Sequence, residues 1–473
     1  MNLVFRDKPR LRLMAVLIAA AVLGGCASFS PDGGFAAIEK TAKNRLGKDV
    51  QWARSDADQD NIARRVTELL SKPLTVDDAV QLALLNNRGL QATFQELGIG
   101  EAEFVQAGRL PNPGFSFGRM SRGDEREIER GLHFNIARLI AMPFIGQMEV
   151  RRFEQTKGMV AMSVLSLAAD TRKAYYNALA AEESVRYMRQ VKLTADSSAE
   201  LARRMEQVGN FNKLQRAREQ VFYADASLNL ARAEQAQRAT RERLTRLLGA
   251  WGAQTQFALP ERLPDLPKDA MELPDIERVA LAQRLDVLGA KLAAEQTARN
   301  LGLTRTTRFV NVLELGLLRN SSNELPTQRG WEIGVELPLF DWGGARVAKA
   351  EAVYMQTVHR AAETAVNARS EVREAYTGYR SAYDIARHQR DEVVPLNQRI
   401  AEENQLRYNG MLIGVFEMLA DARTQIASVN TSIQALRDFW LAQADLDMAL
   451  IGKPSLSVAS DPSMAAGAAA AAH

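Results

Sequence analysis

The chain has 473 residues, room for two or three ordinary domains. Its 60 Lys and Arg stand against 57 Asp and Glu for a formal net charge of +3. No run of basic residues is interleaved with aromatics, so an electrostatic nucleic-acid groove is excluded. Aromatics make up only 7% while Ala, Leu, Gln, Glu and Arg dominate the middle of the chain, a composition of long helices.

Arg6, Lys8, Arg10 and Arg12 precede the apolar stretch Leu13–Leu23, which is too short to span a bilayer as a helix. Gly24 and Gly25 then lead to Cys26, the one cysteine. A basic start, a short apolar run and small residues at its exit predict a signal peptide over residues 1–25. Leu23-Gly24-Gly25-Cys26 resembles a bacterial lipobox, which implies that Cys26 becomes the lipidated first residue of the mature protein. Ala27 follows rather than Asp, and by the same resemblance that implies the outer membrane of a Gram-negative bacterium. With Cys26 consumed no disulfide forms. No later segment is long and apolar enough for a transmembrane helix, so a membrane crossing requires a closed β-barrel.

Residues 26–73 read as a polar lead segment with apolar anchors at Val50, Trp52, Val66, Leu69 and Leu70. Thr75-Val76-Asp77-Asp78 predicts a capped helix start, and the helix runs from about Leu74 to Arg109, where Pro111-Asn112-Pro113 stops it. A period of two follows. Phe115 and Phe117 alternate with Ser116 and Gly118. After a polar loop at Ser121–Arg126, Leu132, Phe134 and Ile136 alternate with His133, Asn135 and Ala137. The period then becomes helical: Val160, Val164, Leu167, Thr171, Ala174, Ala178, Ala181, Val185 and Met188 form a heptad seam in a helix over Gln147–Val208, about 93 Å long. The chain turns at Gly209-Asn210 and returns over Leu214–Leu248.

Residues 251–273, with Pro260, Pro264 and Pro267, read as an extended surface connector. The plan then recurs over 274–452. Phe309, Leu313, Leu315 and Leu317 share a face broken by Asn311. After the loop Ser321–Gln328, Trp331, Ile333, Val335 and Leu337 alternate with Glu332, Gly334 and Glu336. The second seam is Ala361, Ala365, Ala368, Val372, Ala375, Tyr379, Ala382 and Ala386, and Pro395 must interrupt or kink its helix. Residues 453–473 are Ala-rich and predicted to be disordered.

The halves 74–250 and 274–452 thus follow one script at an offset of about two hundred residues, too long for a solenoid unit and indicative of a duplicated half-domain. Ala83–Leu90 aligns with Ala280–Val287, Arg130-Gly131-Leu132 with Arg329-Gly330-Trp331, Ala174-Tyr175 with Ala375-Tyr376, Gly209 with Gly410 and Leu248-Gly249 with Ile451-Gly452. Each hairpin alternates apolar residues with polar or small ones, as a membrane barrel does, although one hairpin taken alone fits a soluble sheet with a buried face better. Four strands cannot close a barrel around a pore, whereas several copies sharing strands can.

The motifs Leu82-Ala83-Leu84-Leu85-Asn86-Asn87, Gln106-Ala107-Gly108-Arg109-Leu110-Pro111-Asn112-Pro113, Val335-Glu336-Leu337-Pro338-Leu339-Phe340-Asp341 and Gly410 leading into Phe416-Glu417-Met418-Leu419 resemble the TolC-like outer-membrane efflux proteins, in their lipid-anchored, RND-associated branch. The resemblance covers about residues 40–452. It implies a mainly α fold with a small β part: a homotrimer whose long helices form an α-helical barrel continued by a shared transmembrane β-barrel, four strands per chain. It also implies a passive duct that docks an inner-membrane RND-type pump through a periplasmic adaptor, with no cofactor. Glu417 takes the family's aperture carboxylate, with Asp421 as a second candidate on the same helix face; two solvated surface acids are the plainer reading. Gly209 and Gly410 become adaptor-docking tips, and His133, Glu332 and Glu336 face the barrel lumen, towards which no nucleic acid and no catalytic chemistry points.

An enzyme has little support. The histidines lack metal-ligand spacing, and no nucleophile elbow or phosphate loop occurs. Asp341-Trp342-Gly343-Gly344 reads as a sharp strand-to-helix exit, and the 15 methionines as core packing. Two alternatives stand beside the efflux duct: a type I protein-secretion duct, and a structural periplasmic coiled-coil lipoprotein without a pore.

Overall fold

A computed structural model of the chain describes residues 28–307, 313–335 and 340–454. The lipobox with Cys26, the strand positions Phe309, Asn311, Glu336 and Leu337, and the tail from residue 455 lie outside the described residues. The described elements are α1 (Ala36–Leu46), α2 (Asp56–Leu70), α3 (Val76–Asn86), α4 (Arg88–Ala107), β1 (Gly114–Arg122), β2 (Glu125–Asn135), α5 (Ile136–Gln207), α6 (Lys213–Leu248), α7 (Ile276–Gln283), α8 (Leu285–Thr307), β3 (Leu313–Ser322), β4 (Gln328–Val335), α9 (Gly344–His388), α10 (Val394–Asn409) and α11 (Val415–Ile451). The protein is therefore mainly helical with one small sheet. Among the described residues no helix is long and apolar enough to cross a membrane.

The chain divides into two compact units, and several helices run from one into the other. The first unit holds the sheet. All four strands pair antiparallel in the order β1-β2-β3-β4, so the two hairpins join through β2 and β3. Alternation gives the sheet two unlike faces. On one face the rows are Phe115–Leu132–Leu317–Trp331 and Phe134–Leu315–Ile333; on the other they are Gly114–His133–Gly316–Glu332 and Gly118–Glu129–Asn320–Gln328. The strands continue through the expected polar loop at Ser121–Arg126. Only Gly123-Asp124 is left to turn, because Gly123 at φ 63° accepts the backbone a two-residue hairpin demands. Ile136, expected in the strand, instead opens α5: the Asn135 side chain accepts from the Arg138 amide at 2.8 Å, an N-cap placed well before Gln147. The 72-residue helix carries Pro143 within it. The lead segment is tied to this unit by Phe35 edge-on to Phe94 at 5.0 Å and by the Ser30 amide donating to the buried Glu101 at 2.6 Å.

The second unit is a helical core. Most of the first seam is buried, from Val164 through Thr171, Ala174 and Ala178 to Val185, and most of the second from Ala368 through Val372 and Ala375 to Tyr379 and Ala386. Small residues let the helices approach closely, while aromatics fill what remains: Phe439 packs against Tyr379, Tyr383 and Trp440. The lead segment adds α2, whose Ile62 and Val66 enter the core, with Val50 and Trp52 buried as expected.

Thr75 forms its capping box with Asp78, but the helix it starts is broken. Asn87 takes an extended backbone (ψ 115°), its Oδ1 accepts from the Leu90 amide to restart α4, and its Nδ2 donates to the Leu247 carbonyl at 2.9 Å. Asn86 Nδ2 donates to the Leu248 and Gly249 carbonyls. The pair thus caps the end of α6. The aligned position Arg284 breaks α7 from α8 in the same way (ψ 126°) and reaches the Ala449 carbonyl on α11. Residues 251–273 hold a short 3-10 turn at Gly252–Thr255 and are otherwise irregular. They are pinned, not merely laid on the surface, since Phe257, Leu263 and Leu266 are buried. Before Pro395 the helix makes one π-turn, Gln389–Val393, which absorbs the missing amide donor.

Candidate functional site

Three places carry the polar side chains singled out by sequence. The first is the polar face of the sheet. His133 and Glu332 meet across β3, Nδ1 to Oε1 at 3.3 Å, and Ser116 Oγ lies 2.9 Å from His133 Nε2. Between them stands Gly316, where a Cβ would sit 2.6 Å from Glu332 Cγ, so glycine lets the acid lie across the strand. A ring protonated at Nδ1 donates to Glu332 and accepts from Ser116, satisfying all three groups. The order Ser–His–Glu is that of a hydrolase triad. A triad needs a carboxylate shielded from water and donors set for an oxyanion, however, whereas the Glu332 side chain is 50% exposed. The arrangement is a hydrogen-bonded staple across the sheet. Glu127, Glu129 and Glu314 share its face, making that face acidic.

The second place is the α5–α6 turn. Gly209 takes φ 82° and its amide returns to the Glu206 carbonyl, while the Asn210 and Phe211 amides both reach Met205. Asn212 closes a capping box with Gln215, and Phe211 tucks inward. Arg216 pairs with Glu206 at 2.7 Å.

The third is the α10–α11 turn, and here the alignment of Gly209 with Gly410 is corrected. Gly410 is at φ −80°, and the left-handed residue is Met411 at φ 60°. The Met411 amide bonds Tyr408 and the Leu412 amide Arg407. The turn is therefore the same as the first, displaced by one residue, and it projects Met411, 93% exposed, and Leu412, 77% exposed. Glu417 sits in the first turn of α11 with its side chain exposed. Asp421 does not act with it as a free pair: Asn404 of α10 donates to its carboxylate.

Sequence reading missed the charged group that braces these helices. Glu219 on α6 is only 1% exposed, accepts from Ser198 Oγ of α5 at 2.8 Å, and pairs with Arg423 of α11 at 3.0 Å. Arg423 also lies over the Phe222 ring at 4.4 Å. Glu219 carries no sequence signal, being one acid among many on a polar helix. Deeper in the core, Lys173 pairs with Asp445 at 2.8 Å and Arg284 with Asp286 and Glu371 at 2.7 and 2.6 Å. Among the described residues no group of three His, Cys, Asp or Glu side chains is placed to hold a metal ion.

No protein-family model matches the chain. Over 280 residues it is 24% identical to the cobalt-zinc-cadmium resistance protein CzcC of Cupriavidus metallidurans, a stretch that is 57% of this chain and 64% of that protein's length. Two solved structures show the fold. CusC, studied for folding and transmembrane channel formation, superposes with a TM-score of 0.66 at 18% identity over 80% of this chain and 92% of its own. The CmeC outer membrane channel of Campylobacter jejuni does so at 0.62 and 16% identity, over 91% and 94%. The chain has the fold of TolC-like outer-membrane channels.

Proposed function

We propose that the chain is the outer-membrane component of a tripartite efflux system, a passive homotrimeric duct. The observation that carries this reading is the four-stranded sheet, open at both edges, with one face apolar and the other acidic and glycine-rich. Unpaired edges in a bilayer are untenable, and pairing β4 of one copy with β1 of the next gives three chains a closed twelve-strand barrel. The apolar face then meets lipid and the face of His133 and Glu332 meets the lumen, to which the sequence alternation also assigns Glu336. The shared element order of the two halves supports the duplication, each half supplying one hairpin and half a share of helical wall. Cys26 anchors the assembly by lipid. The α5–α6 and α10–α11 turns, at Gly209 and Gly410, dock the periplasmic adaptor of an RND-type pump. Glu417 guards the aperture, with Asp421 behind it.

The substrate class we propose is divalent metal cations, supported by the likeness to CzcC and by the carboxylates on the lumen face, which attract cations. Full-length protein in a planar bilayer should give stable conductance and run as a trimer after cross-linking. A helical monomer without conductance would overturn the duct and favour a structural coiled-coil lipoprotein. A deletion strain should lose tolerance to cobalt, zinc or cadmium, and sensitivity confined to organic drugs would refute the metal assignment. Cys26→Ser should shift the protein out of the outer-membrane fraction, and unchanged fractionation would remove the anchor.

A further inference from the structure

The repeated motif Arg130-Gly131-Leu132 and Arg329-Gly330-Trp331 has a consequence visible only in the register. Arg130 stands opposite Arg319, and Arg319 opposite Arg329, with Phe117 completing the row. Three guanidinium groups thus lie side by side across β2, β3 and β4. Alternation places them on the apolar face, immediately beyond the row Phe115–Leu132–Leu317–Trp331. Arg119 and Arg126 join them on that face nearer the hairpin loops, and all five are exposed. Every strand carboxylate, Glu125, Glu127, Glu129, Glu314 and Glu332, is on the opposite face. Among the described residues none of the five makes an ion pair.

Like charges directly opposed on neighbouring strands destabilise a sheet, so a row of three asks for a multivalent anion. Guanidinium forks match phosphate oxygens in bidentate fashion. The row borders apolar side chains and a tryptophan, so the anion that fits carries a hydrocarbon tail for those rows, with its charge at the arginines. We propose that Arg130, Arg319 and Arg329 form a binding site for the phosphate groups of a membrane lipid, bound at the loop end of the sheet's lipid face. This rests on the barrel reading above, in which the three copies join their rows into one basic girdle.

The test uses full-length protein in phosphatidylcholine nanodiscs, titrated with diphosphoryl or monophosphoryl lipid A. The wild type should bind the diphosphoryl form, and the R130Q/R319Q/R329Q variant should bind it about tenfold more weakly with single-channel conductance unchanged. Arg122→Gln, on the opposite face, should bind as the wild type does. Equal binding by the triple variant, the same loss from Arg122→Gln, or displacement by inorganic pyrophosphate as readily as by lipid would each overturn the proposal. Arginine-dependent lipid binding without conductance would support the headgroup site while refuting the duct.

Discussion

Gly249→Ala should be among the most damaging small substitutions in the helical unit, and the structure gives its size. Gly249 ends α6 in the left-handed region at φ 65°, where a side chain costs about 1–2 kcal/mol. Its Cβ would lie 2.6 Å from the Asn86 carbonyl oxygen and 2.9 Å from Asn87 Cα, both backbone atoms at the junction of α3 and α4. Relief requires that junction to withdraw, which stretches the bonds from Asn86 to Leu248 and Gly249 at 3.2 and 2.9 Å and from Asn87 to Leu247 at 2.9 Å. Losing two of them at about 1 kcal/mol each brings the total to about 3–4 kcal/mol. Two controls separate the contributions. Gly209 has φ 82° but open space around it, so Gly209→Ala should cost only the backbone share. Gly452, aligned with Gly249, is extended at φ −169° and its Cβ would meet flexible Met162 and Met448 ends, so Gly452→Ala should cost less than about 1 kcal/mol. Denaturant midpoints followed by helical circular dichroism in detergent would rank the three. Gly249→Ala no worse than Gly209→Ala would refute the reasoning.

Met411→Gly should raise stability by about 0.5–1 kcal/mol, since it relieves the left-handed methionine by more than it adds freedom to the unfolded chain; a lowered midpoint would count against it. Burial pushes the Tyr176 hydroxyl up to about 12, against about 10 when unfolded. Its effect on stability is therefore nearly flat below pH 10 and turns destabilising as pH rises through about 12, by about 2–3 kcal/mol. Tyr176→Phe, which keeps the stack on Trp440 at 5.2 Å, should flatten that alkaline limb, and identical limbs for the two proteins would defeat the assignment. Glu417→Ala should reduce cation selectivity or cation block severalfold without altering trimer yield, and unchanged single-channel selectivity would sink the aperture role.

The features legible in the sequence are those set by local rules. Thr75 with Asp78, the two hairpins and the interruption before Pro395 each follow from chemistry within a few residues, although the strand ends differ: the β1–β2 pairing runs through the expected loop and Ile136 belongs to α5. What stayed hidden depends on partners distant in sequence. Nothing around Asn87 interrupts a helical pattern; the interruption exists because its amide is needed by the carbonyl of Leu247. The start of α5 was hidden because the period-two pattern runs on through Ile136, and only the Asn135 side chain accepting from the Arg138 amide shows that the helix begins there. At the second tip, glycine signalled the left-handed position and Met411 occupies it. At the candidate site the alternation placed His133 and Glu332 on one face, but only the register through Gly316 brings them into contact.

The two halves answer one structural demand with different chemistry. Each must break its leading helix and cover the end of a returning helix: Asn87 does so for α6 with a neutral amide, and Arg284 for α11 with a charge, 1% exposed. A buried guanidinium needs compensation, and Asp286 and Glu371 provide it. The same divergence marks the turns. The first is closed by glycine and an Asn212 capping box, whereas the second has a strained Met411 and a Gly414 N-cap without a side-chain bond. Fewer caps and a residue in an unfavourable backbone region lower the free energy of local opening. Of the two turns, the α10–α11 turn should therefore open at the lower free energy, and Glu417 lies in the first turn of the helix that follows it.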